Sequence, residues 1–449
     1  MLGTLFYFLV TLAILVAVHE FGHFWVARKL GVKVLTFSIG FGQPLLQRTD
    51  SQGTRYVLAA IPLGGYVRML DEREASVAPD QLHKAFNRQP LWSRAAIILA
   101  GPVANFLLAV LVYWLVFVVG IEGIKPVIGE VQGNSVAERA GLHEEQRIVA
   151  VDGKPVHSQA QVNMALIKRI GDSGQITLET VYRGSNVTNS HQLPVERWLV
   201  GSETRLPSSA LGFSYWQPAW PALLDTVAPG QPAAAAGMRA GDKIVAIEGV
   251  AIEVWQDAVA QIKVAAGRSL SIEVERGGQR ITMNVRAQPH QLDSGETIGR
   301  IGVSVAMPQW PEDMRVLVRA GVFSGLVQAS AETWGMLVFT LESIKKMLYG
   351  LISTENLSGP VTIAKIASAS ADSGAVAYLQ FLALISISLG VINLLPIPVL
   401  DGGQLLFLGA EAITGKALSE KVMLVAQQAG LMLILAIMAL ALYNDFTRL

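Results

Sequence analysis

Residues 19–23 read His19-Glu20-Phe21-Gly22-His23, and they lie inside an otherwise uncharged apolar stretch that runs from residue 1 to residue 27. Ionisable side chains are costly to bury in such a stretch, so their presence indicates a specific role. On a helix, residues four apart share a face, which lets His19 and His23 present two imidazole nitrogens to one Zn²⁺. Glu20 lies beside them, where it can act as a general base. We interpret the pattern as a zinc site inside a membrane helix.

The overall composition is that of a membrane protein. Apolar residues make up 51% of the 449 residues, charged residues make up 16%, and the mean hydropathy is +0.42. Crossing a hydrocarbon layer takes about 20 apolar residues of helix, and four stretches meet that length: 2–27, 95–119, 375–395 and roughly 422–443. The net charge of zero argues against a nucleic-acid partner. Because the chain has no cysteine, any zinc must be held by His, Asp or Glu.

The distribution of basic residues predicts the orientation of these stretches. Lysine and arginine are concentrated between residues 28 and 94, whereas none precedes the first stretch. Short loops rich in these residues stay in the cytoplasm, so the segment 28–94 is predicted to be cytoplasmic. Alternation through four spans then places both termini and the large segment 120–374 outside the membrane.

Asp401 is the candidate third zinc ligand. It follows the third apolar stretch, which crosses in the same direction as the first. The HEFGH motif and Asp401 each come about 20 residues into their segment, so they are expected at similar depth in the membrane. Packing the two helices side by side would therefore bring this carboxylate to the histidines. Pro396 and Pro398 break the helix before Asp401, and unwound backbone at that depth is tolerated where it lines a wet cavity. The alternative is a helix-terminating Pro-x-Pro followed by an ordinary Asp-Gly turn.

The outer segment contains a tandem repeat. Residues 140–153 (AGLHEEQRIVAVDG) recur as residues 236–249 (AGMRAGDKIVAIEG), displaced by 96 residues. Such spacing implies two copies of one small domain, and the pattern resembles the bacterial PDZ domain. The first copy has Glu145-Gln146 where the second has Gly241-Asp242, so the two turns are predicted to differ. The pair could bind extended peptides, for example a freshly cut carboxyl terminus, or act sterically by keeping bulky exported domains away from the membrane.

The spans and motifs together resemble the site-2 protease family of intramembrane zinc proteases. The likeness covers nearly the whole chain and rests on HEFGH in the first span, on NLLPIPVLDGG (393–403) after the third, and on the segments 64–66 and 358–361. It implies that His19, His23 and Asp401 hold zinc and that Glu20 is the catalytic carboxylate. It further implies that Asn393 helps to hold the substrate backbone.

A β-structure next to the zinc site is predicted to receive the substrate. Residues 34–42 and 56–69 read as short strands, and an exposed strand edge could accept an unwound substrate by β-addition. The family resemblance implies a membrane-reentrant loop at Gly64, Gly65 and Tyr66, which we include as substrate-binding candidates. The alternative is an ordinary cytoplasmic hairpin.

Residues 311–351 are amphipathic in places, as in a helix at a membrane surface or a linker helix packed on the repeat pair.

The expected fold is thus a multidomain membrane protein with a four-helix transmembrane bundle, membrane-associated β-hairpins and two tandem β-rich PDZ domains. The expected boundaries are 1–121 for the first two spans, 122–215 and 216–307 for the PDZ domains, 308–374 for an amphipathic connector, and 375–449 for the last two spans.

The family resemblance implies a zinc endopeptidase of the bacterial inner membrane that takes part in the envelope stress response. It implies cleavage of single-span membrane proteins, namely an anti-sigma factor trimmed by a first protease, and remnant signal peptides. The rival interpretation is a membrane-tethered PDZ scaffold with a structural metal site. The retention of Glu20 beside the three candidate ligands favours the enzyme, because a scaffold has no use for a base there.

Overall fold

The computed structural model describes residues 2–74, 76–202, 205–292 and 295–447. The helices are α1 (Leu2–Lys29), α2 (Leu91–Val119), α3 (Val136–Arg139), α4 (Gln159–Ile167), α5 (Pro207–Leu211), α6 (Pro232–Ala235), α7 (Trp255–Lys263), α8 (Val322–Leu348), α9 (Pro360–Asp372), α10 (Ala375–Asn393), α11 (Asp401–Thr414) and α12 (Glu420–Thr447).

The strands are β1 (Val34–Thr49), β2 (Arg55–Met69), β3 (Ile121–Ile124), β4 (Ile128–Val131), β5 (Arg147–Val151), β6 (Lys154–Pro155), β7 (Gly174–Val181), β8 (Thr188–Val195), β9 (Phe213–Tyr215), β10 (Leu224–Val227), β11 (Lys243–Ile247), β12 (Val250–Ala251), β13 (Ser269–Arg276), β14 (Gln279–Arg286), β15 (Gln288–Gln291), β16 (Thr297–Arg300), β17 (Val303–Val305) and β18 (Arg315–Val318).

Within the described residues, α1, α2, α10 and α12 are the helices long and apolar enough to cross a membrane, as the sequence predicts. α2 lies at the centre of the bundle and packs against both α1 and α10. Its apolar side chains share one core with Leu15 of α1 and Ile387 of α10. α12 stands beside this three-helix core and contacts α9. Its Asp445 carboxylate accepts the backbone N–H groups of Gly359 (3.0 Å) and Val361 (2.8 Å) where α9 begins.

β1 and β2 fold into a sheet beside α1. Residues 34–39 pair with residues 65–69 on one side and with residues 55–58 on the other, and residues 44–49 pair with the outer side of 55–59. The segment order across the sheet is therefore 44–49, 55–59, 34–39, 65–69. Residues 65–69, which we call the inner edge, have a strand partner on one side only among the described residues. β1 extends to Thr49, beyond the strand predicted for residues 34–42, because its second half pairs back onto β2.

Two β-rich units follow α2 and repeat one order of elements. The first unit has a four-stranded sheet in the order β6-β5-β7-β8, and the second has the order β12-β11-β13-β14. β5 and β11, and likewise α4 and α7, are displaced by the 96 residues of the sequence repeat. Each unit has its own apolar core. β3 pairs with β18, so the segment that leaves the helix bundle lies beside the segment that returns to it; we call this strand pair the neck.

α8 joins the neck to the last two spans. It packs against α2 and α10, and Lys346 near its end donates to the Asp172 carboxylate (2.6 Å) and the Ile170 carbonyl (2.7 Å) of the first unit. The predicted amphipathic segment 311–351 thus contains one strand and one long helix, and that helix connects the first unit to the bundle.

Candidate metal centre

Three side chains from two separate helices converge at one point. The Nε2 atoms of His19 and His23 are 3.2 Å apart, because one helical turn places them on the same face of α1. The Asp401 Oδ2 atom lies 3.2 Å from Nε2 of His19 and 3.4 Å from Nε2 of His23. Asp401 is the first residue of α11, which begins after the proline-containing turn at 394–400. The structure thus brings together the three candidate ligands that the sequence singles out.

The spacing of these atoms fits a tetrahedral zinc ion. Zinc bonds to nitrogen and oxygen of about 2.0–2.1 Å, at tetrahedral angles, put neighbouring ligand atoms about 3.3–3.4 Å apart. The three observed separations, 3.2, 3.2 and 3.4 Å, lie within about 0.1 Å of that range. The Asp401 Oδ2 atom is buried and has no hydrogen-bond donor among the described residues. A divalent cation between these atoms would satisfy it and would leave a fourth position open.

Hydrogen bonds behind the imidazoles fix their orientation. Nδ1 of His23 lies 2.8 Å from the Ile97 carbonyl, which can only accept, so Nδ1 carries the proton and Nε2 is free to bind a metal. Nδ1 of His19 lies 3.2 Å from the side-chain nitrogen of Asn105, whose Oδ1 is buried and has no partner in the part of the chain that the structure describes. Turning that amide over lets Oδ1 accept the proton of Nδ1, which satisfies both groups and frees Nε2 of His19.

Two glycines allow the close packing that the site requires. A Cβ on Gly101 of α2 would lie 2.6 Å from Cε1 of His23 and 2.8 Å from Cε1 of His19. A Cβ on Gly22 of α1 would lie 2.9 Å from the Ala104 side chain and would also strike the Ala100 backbone. Glycine at both positions therefore lets α1 and α2 approach until the imidazoles fill the space between them.

Glu20 and most of the predicted substrate-binding residues face the same cavity. It has a volume of about 500 Å³, and Glu20, Asn393, Gly65 and Tyr66 are among its lining residues, together with the three candidate ligands. The backbone N–H of Val67, on the inner edge, faces the Glu20 carboxylate. Gln404, one turn after Asp401 on α11, also lines the cavity. Four further charged residues are among its lining residues: Arg68, Asp71, Arg73 and Glu74.

The glycine pair of β2 has two different environments. A Cβ on Gly65 would lie 3.1 Å from Cγ of Glu20 and 2.8 Å from Cγ1 of Val16, so glycine lets the inner edge lie directly on α1. Gly64 is not among the cavity-lining residues. It has a φ of +114°, and a Cβ there would meet the Phe41 ring, so the turn into the inner edge requires glycine.

Sequence reasoning gave no catalytic role to Ile97, Asn105 and Gln404. Asn105 carried a signal, a polar amide four residues after Gly101 in an apolar span, but the sequence leaves its partner open. The Ile97 contact is made by a backbone carbonyl, which every residue type has, so the sequence cannot indicate it. Gln404 could be found only by its helical spacing from Asp401.

Comparison of the sequence with known protein families identifies the family of this chain. A family model described as Peptidase family M50 matches residues 7–437. The chain belongs to peptidase family M50. It is therefore a zinc metalloprotease of the site-2 protease type.

Relatives within family M50 cover almost the entire chain. The Regulator of sigma-E protease RseP of Escherichia coli (strain K12) is 42% identical over 442 residues, 98% of each chain. Protease RseP of Yersinia pestis has the same identity and coverage. The Regulator of sigma E protease of Haemophilus influenzae is 39% identical over 443 residues, again 98% of each chain.

Proposed function

We propose that this chain is an intramembrane zinc endopeptidase in which His19, His23 and Asp401 hold the metal and Glu20 is the catalytic carboxylate. The observation that carries the proposal is the near-tetrahedral spacing of three candidate ligand atoms, two on the apolar helix α1 and one at the start of α11, with Glu20 lining the same cavity. When bound there, zinc supplies a Lewis acid that favours attack of water on a peptide carbonyl.

The residues of the chain supply the remaining steps. The Glu20 carboxylate accepts a proton from the attacking water and later delivers it to the nitrogen of the leaving amine. Ile97 and Asn105 keep the two imidazoles in the tautomer that leaves Nε2 free. Asn393 lines the cavity, where its side-chain amide can hydrogen-bond the substrate backbone.

The inner edge supports a route for unwinding the substrate. A membrane-spanning helix satisfies its own backbone groups, so cleavage requires other partners for them once it is extended. Residues 65–69 form a strand edge beside Glu20 and Asp401 that has no second strand partner among the described residues. An extended substrate segment can add to this edge, with Gly65 and Tyr66 at the point of contact.

We assign the two repeat units to the PDZ class and give the pair the role of a size filter. Their repeated element order and the resemblance of residues 140–153 and 236–249 support the class. The contact of Lys346 with the first unit supports the filter, because it holds this unit against α8 beside the bundle. A carboxyl-terminal peptide bound to a sheet edge is the second role open to a PDZ pair.

The relatives' names suggest the substrates and the membrane. Since they are named regulators of sigma E, we infer that the substrate is a single-span anti-sigma factor after a first cut outside the membrane, with remnant signal peptides as further substrates. The arginines and lysines between residues 28 and 94 favour an inner-membrane topology with both repeat units in the periplasm.

Substitution of Glu20 tests the proposal. Glu20→Gln keeps the ligands but removes the proton acceptor, so we expect one zinc per chain as in wild type and at least a hundredfold loss of cleavage, about the lower bound for general-base catalysis. The assay uses purified full-length protein with a single-span substrate, and zinc is measured by elemental analysis. Wild-type cleavage by the zinc-loaded Glu20→Gln variant would refute the catalytic assignment.

A further inference from the structure

One face of α2 contacts the metal centre at three successive turns and contacts α11 at the turn before them. Arg94, Ile97, Gly101 and Asn105 are three or four residues apart, so they lie along one stripe of the helix. The Ile97 carbonyl and the Asn105 amide contact the two imidazoles, and Gly101 gives them room. Arg94 is the remaining member of the stripe, and it contacts α11, the helix that begins at the third candidate ligand.

Arg94 makes a two-point ion pair with α11. Its Nη2 atom donates to Oε1 of Glu411 at 2.6 Å, and its Nη1 atom donates to Oε2 at 3.1 Å. Arg94 is 8% exposed, so the pair is well shielded from water on the arginine side. A guanidinium and a carboxylate joined by two parallel hydrogen bonds fix direction as well as distance.

The position of α11 depends on few other contacts. Among the described residues, α2 is the element with which α11 makes extensive contact, and apolar side chains such as Leu406 and Ile413 on its other faces are exposed. Its first turn is seated on the loop before it, because a Cβ on Gly402 would strike the carbonyls of Leu394 and Leu395. This close packing fixes the start of α11, and the Arg94–Glu411 ion pair fixes the part near its end.

The length of α11 makes the second attachment significant. Glu411 lies ten residues after Asp401, which is about 15 Å along a helix. A tilt of the helix by about 4° changes the relative position of its two ends by about 1 Å over that length. The separations of the ligand atoms leave little room for such a change, since all three lie between 3.2 and 3.4 Å.

We propose that Arg94 and Glu411 are positioning residues. Their ion pair aligns α11 against α2, so that the Asp401 carboxylate meets the two imidazoles of α1, which α2 also orients. The inference rests on the proposed function, because it takes Asp401 as a zinc ligand. It predicts that loss of the pair weakens metal binding although neither residue touches the metal.

The test measures zinc affinity of the purified full-length protein by competition with a chelator. Glu411→Gln keeps the size of the side chain and removes its charge. Arg94→Lys keeps the positive charge and removes the pair of parallel hydrogen bonds that the guanidinium donates. We expect each to bind zinc about three- to tenfold more weakly than wild type, at or below the range for groups that directly contact a ligand. The visible spectrum of the cobalt-substituted protein is also expected to shift, which a general loss of stability would not produce.

The matched control is a second two-point pair at the same side of the bundle. Arg88 donates to Glu72 at 2.6 and 3.0 Å, and neither residue lines the metal cavity. Glu72→Gln and Arg88→Lys are therefore expected to leave zinc affinity and the cobalt spectrum at wild-type values.

The possible outcomes separate this inference from the proposed function. Wild-type protein that binds no zinc would overturn the proposed function, and this inference with it. Wild-type binding together with unchanged affinity and cobalt spectrum in Glu411→Gln and Arg94→Lys would overturn the inference alone, as would an equal loss in the control variants. If Glu411→Gln does not fold, Arg94→Lys decides the question, because the retained positive charge still partners the carboxylate.

Discussion

At the scale of single residues, Gly101 determines whether both imidazoles fit between α1 and α2. A methyl group at this position would lie within 2.8 Å of a carbon of each ring. We expect Gly101→Ala to weaken zinc affinity about tenfold or more, the scale seen when groups around metal ligands are disturbed. Alanine favours a helix over glycine by about 1 kcal/mol, so lost helix propensity cannot explain the effect. The measurement is zinc affinity with the folded fraction monitored in parallel.

Gly409→Ala is the matched control for this prediction. Gly409 lies in α11, and a Cβ there would meet nothing within 4 Å. Its zinc affinity is expected to equal that of wild type. Equal affinities for Gly101→Ala and wild type would show that the imidazoles do not need the space that the glycine leaves.

The sequence was enough to single out the residues whose type and spacing indicate zinc chemistry. It missed the residues that contact the site through a backbone group or from a distant part of the chain. His19, Glu20 and His23 form a spaced motif, and the shared depth of Asp401 was enough to connect it to them. Ile97 acts through its carbonyl, so any residue type could stand there. The contact of Asn105 with His19 joins residues 86 apart in the chain, which one sequence cannot reveal.

At the scale of elements, the inner edge predicts how an extended substrate would lie. The chain has no cysteine, so Tyr66→Cys in the Glu20→Gln background introduces a single thiol on that edge. Substrates with one cysteine at successive positions are expected to crosslink at every second position, since strand residues alternate between faces. A helical substrate would instead crosslink at every third or fourth position.

Gln47→Cys supplies the control thiol for the crosslinking series. Gln47 lies on the opposite edge of the same sheet, in the segment 44–49. It is expected to give no crosslinks with the substrate cysteines that react at position 66. Crosslinks of equal yield at both edges would contradict addition to the inner edge.

The two repeat units are predicted to respond differently to acid. In the second unit Asp242 is fully buried. Burial opposes its ionisation, but hydrogen bonds from Arg276 at 2.6 and 2.8 Å and the Arg239 N–H at 2.8 Å outweigh it, so the pKa of Asp242 is lowered. In the first unit the uncharged Gln146 accepts the corresponding N–H, that of His143.

The lowered pKa sets the direction of the acid effect. The stabilisation is complete above the unfolded-chain pKa of about 3.9 and is lost as the pH falls through the lower folded-state value. Amide hydrogen exchange of the full chain is therefore expected to show protection falling below about pH 4 in the second unit before the first. Asp242→Gln should remove that extra pH dependence. Identical pH profiles of the two units in wild type would contradict the explanation.

The sequence predicted these elements better than their pairing. The 96-residue repeat and the strands near residues 34 and 56 follow from composition and periodicity. The order 44–49, 55–59, 34–39, 65–69 does not, because β1 and β2 each pair in two registers and a single alternation pattern does not specify which segment takes the edge. That pairing decides that residues 65–69, rather than 44–49, lie next to Glu20.

At the scale of the whole molecule, Lys346 connects the first repeat unit to the bundle. Lys346→Ala removes its bonds to Asp172 and Ile170, residues that lie about 175 positions earlier in the chain and that no local pattern could have paired with it. If the unit pair acts as a filter held in place by this contact, the variant is expected to cleave a substrate with an intact exported domain several-fold faster than wild type. Cleavage of a trimmed substrate is expected to stay unchanged.

Lys345→Ala provides the comparison, because the neighbouring lysine is exposed on the same helix. It is expected to behave as wild type with both substrates. Equal discrimination between trimmed and untrimmed substrates by wild type and Lys346→Ala would contradict the role of this contact in filtering.

The central claim is that His19 and His23 from one span and Asp401 beyond another hold a single zinc ion. X-ray absorption at the zinc edge of the purified full-length protein tests it most directly. We predict one zinc per chain with nitrogen and oxygen ligands at about 2.0–2.1 Å and scattering from two imidazoles, and a changed spectrum or lost metal in Asp401→Ala. A wild-type spectrum without imidazole scattering, or an unchanged spectrum and full zinc content in Asp401→Ala, would contradict it.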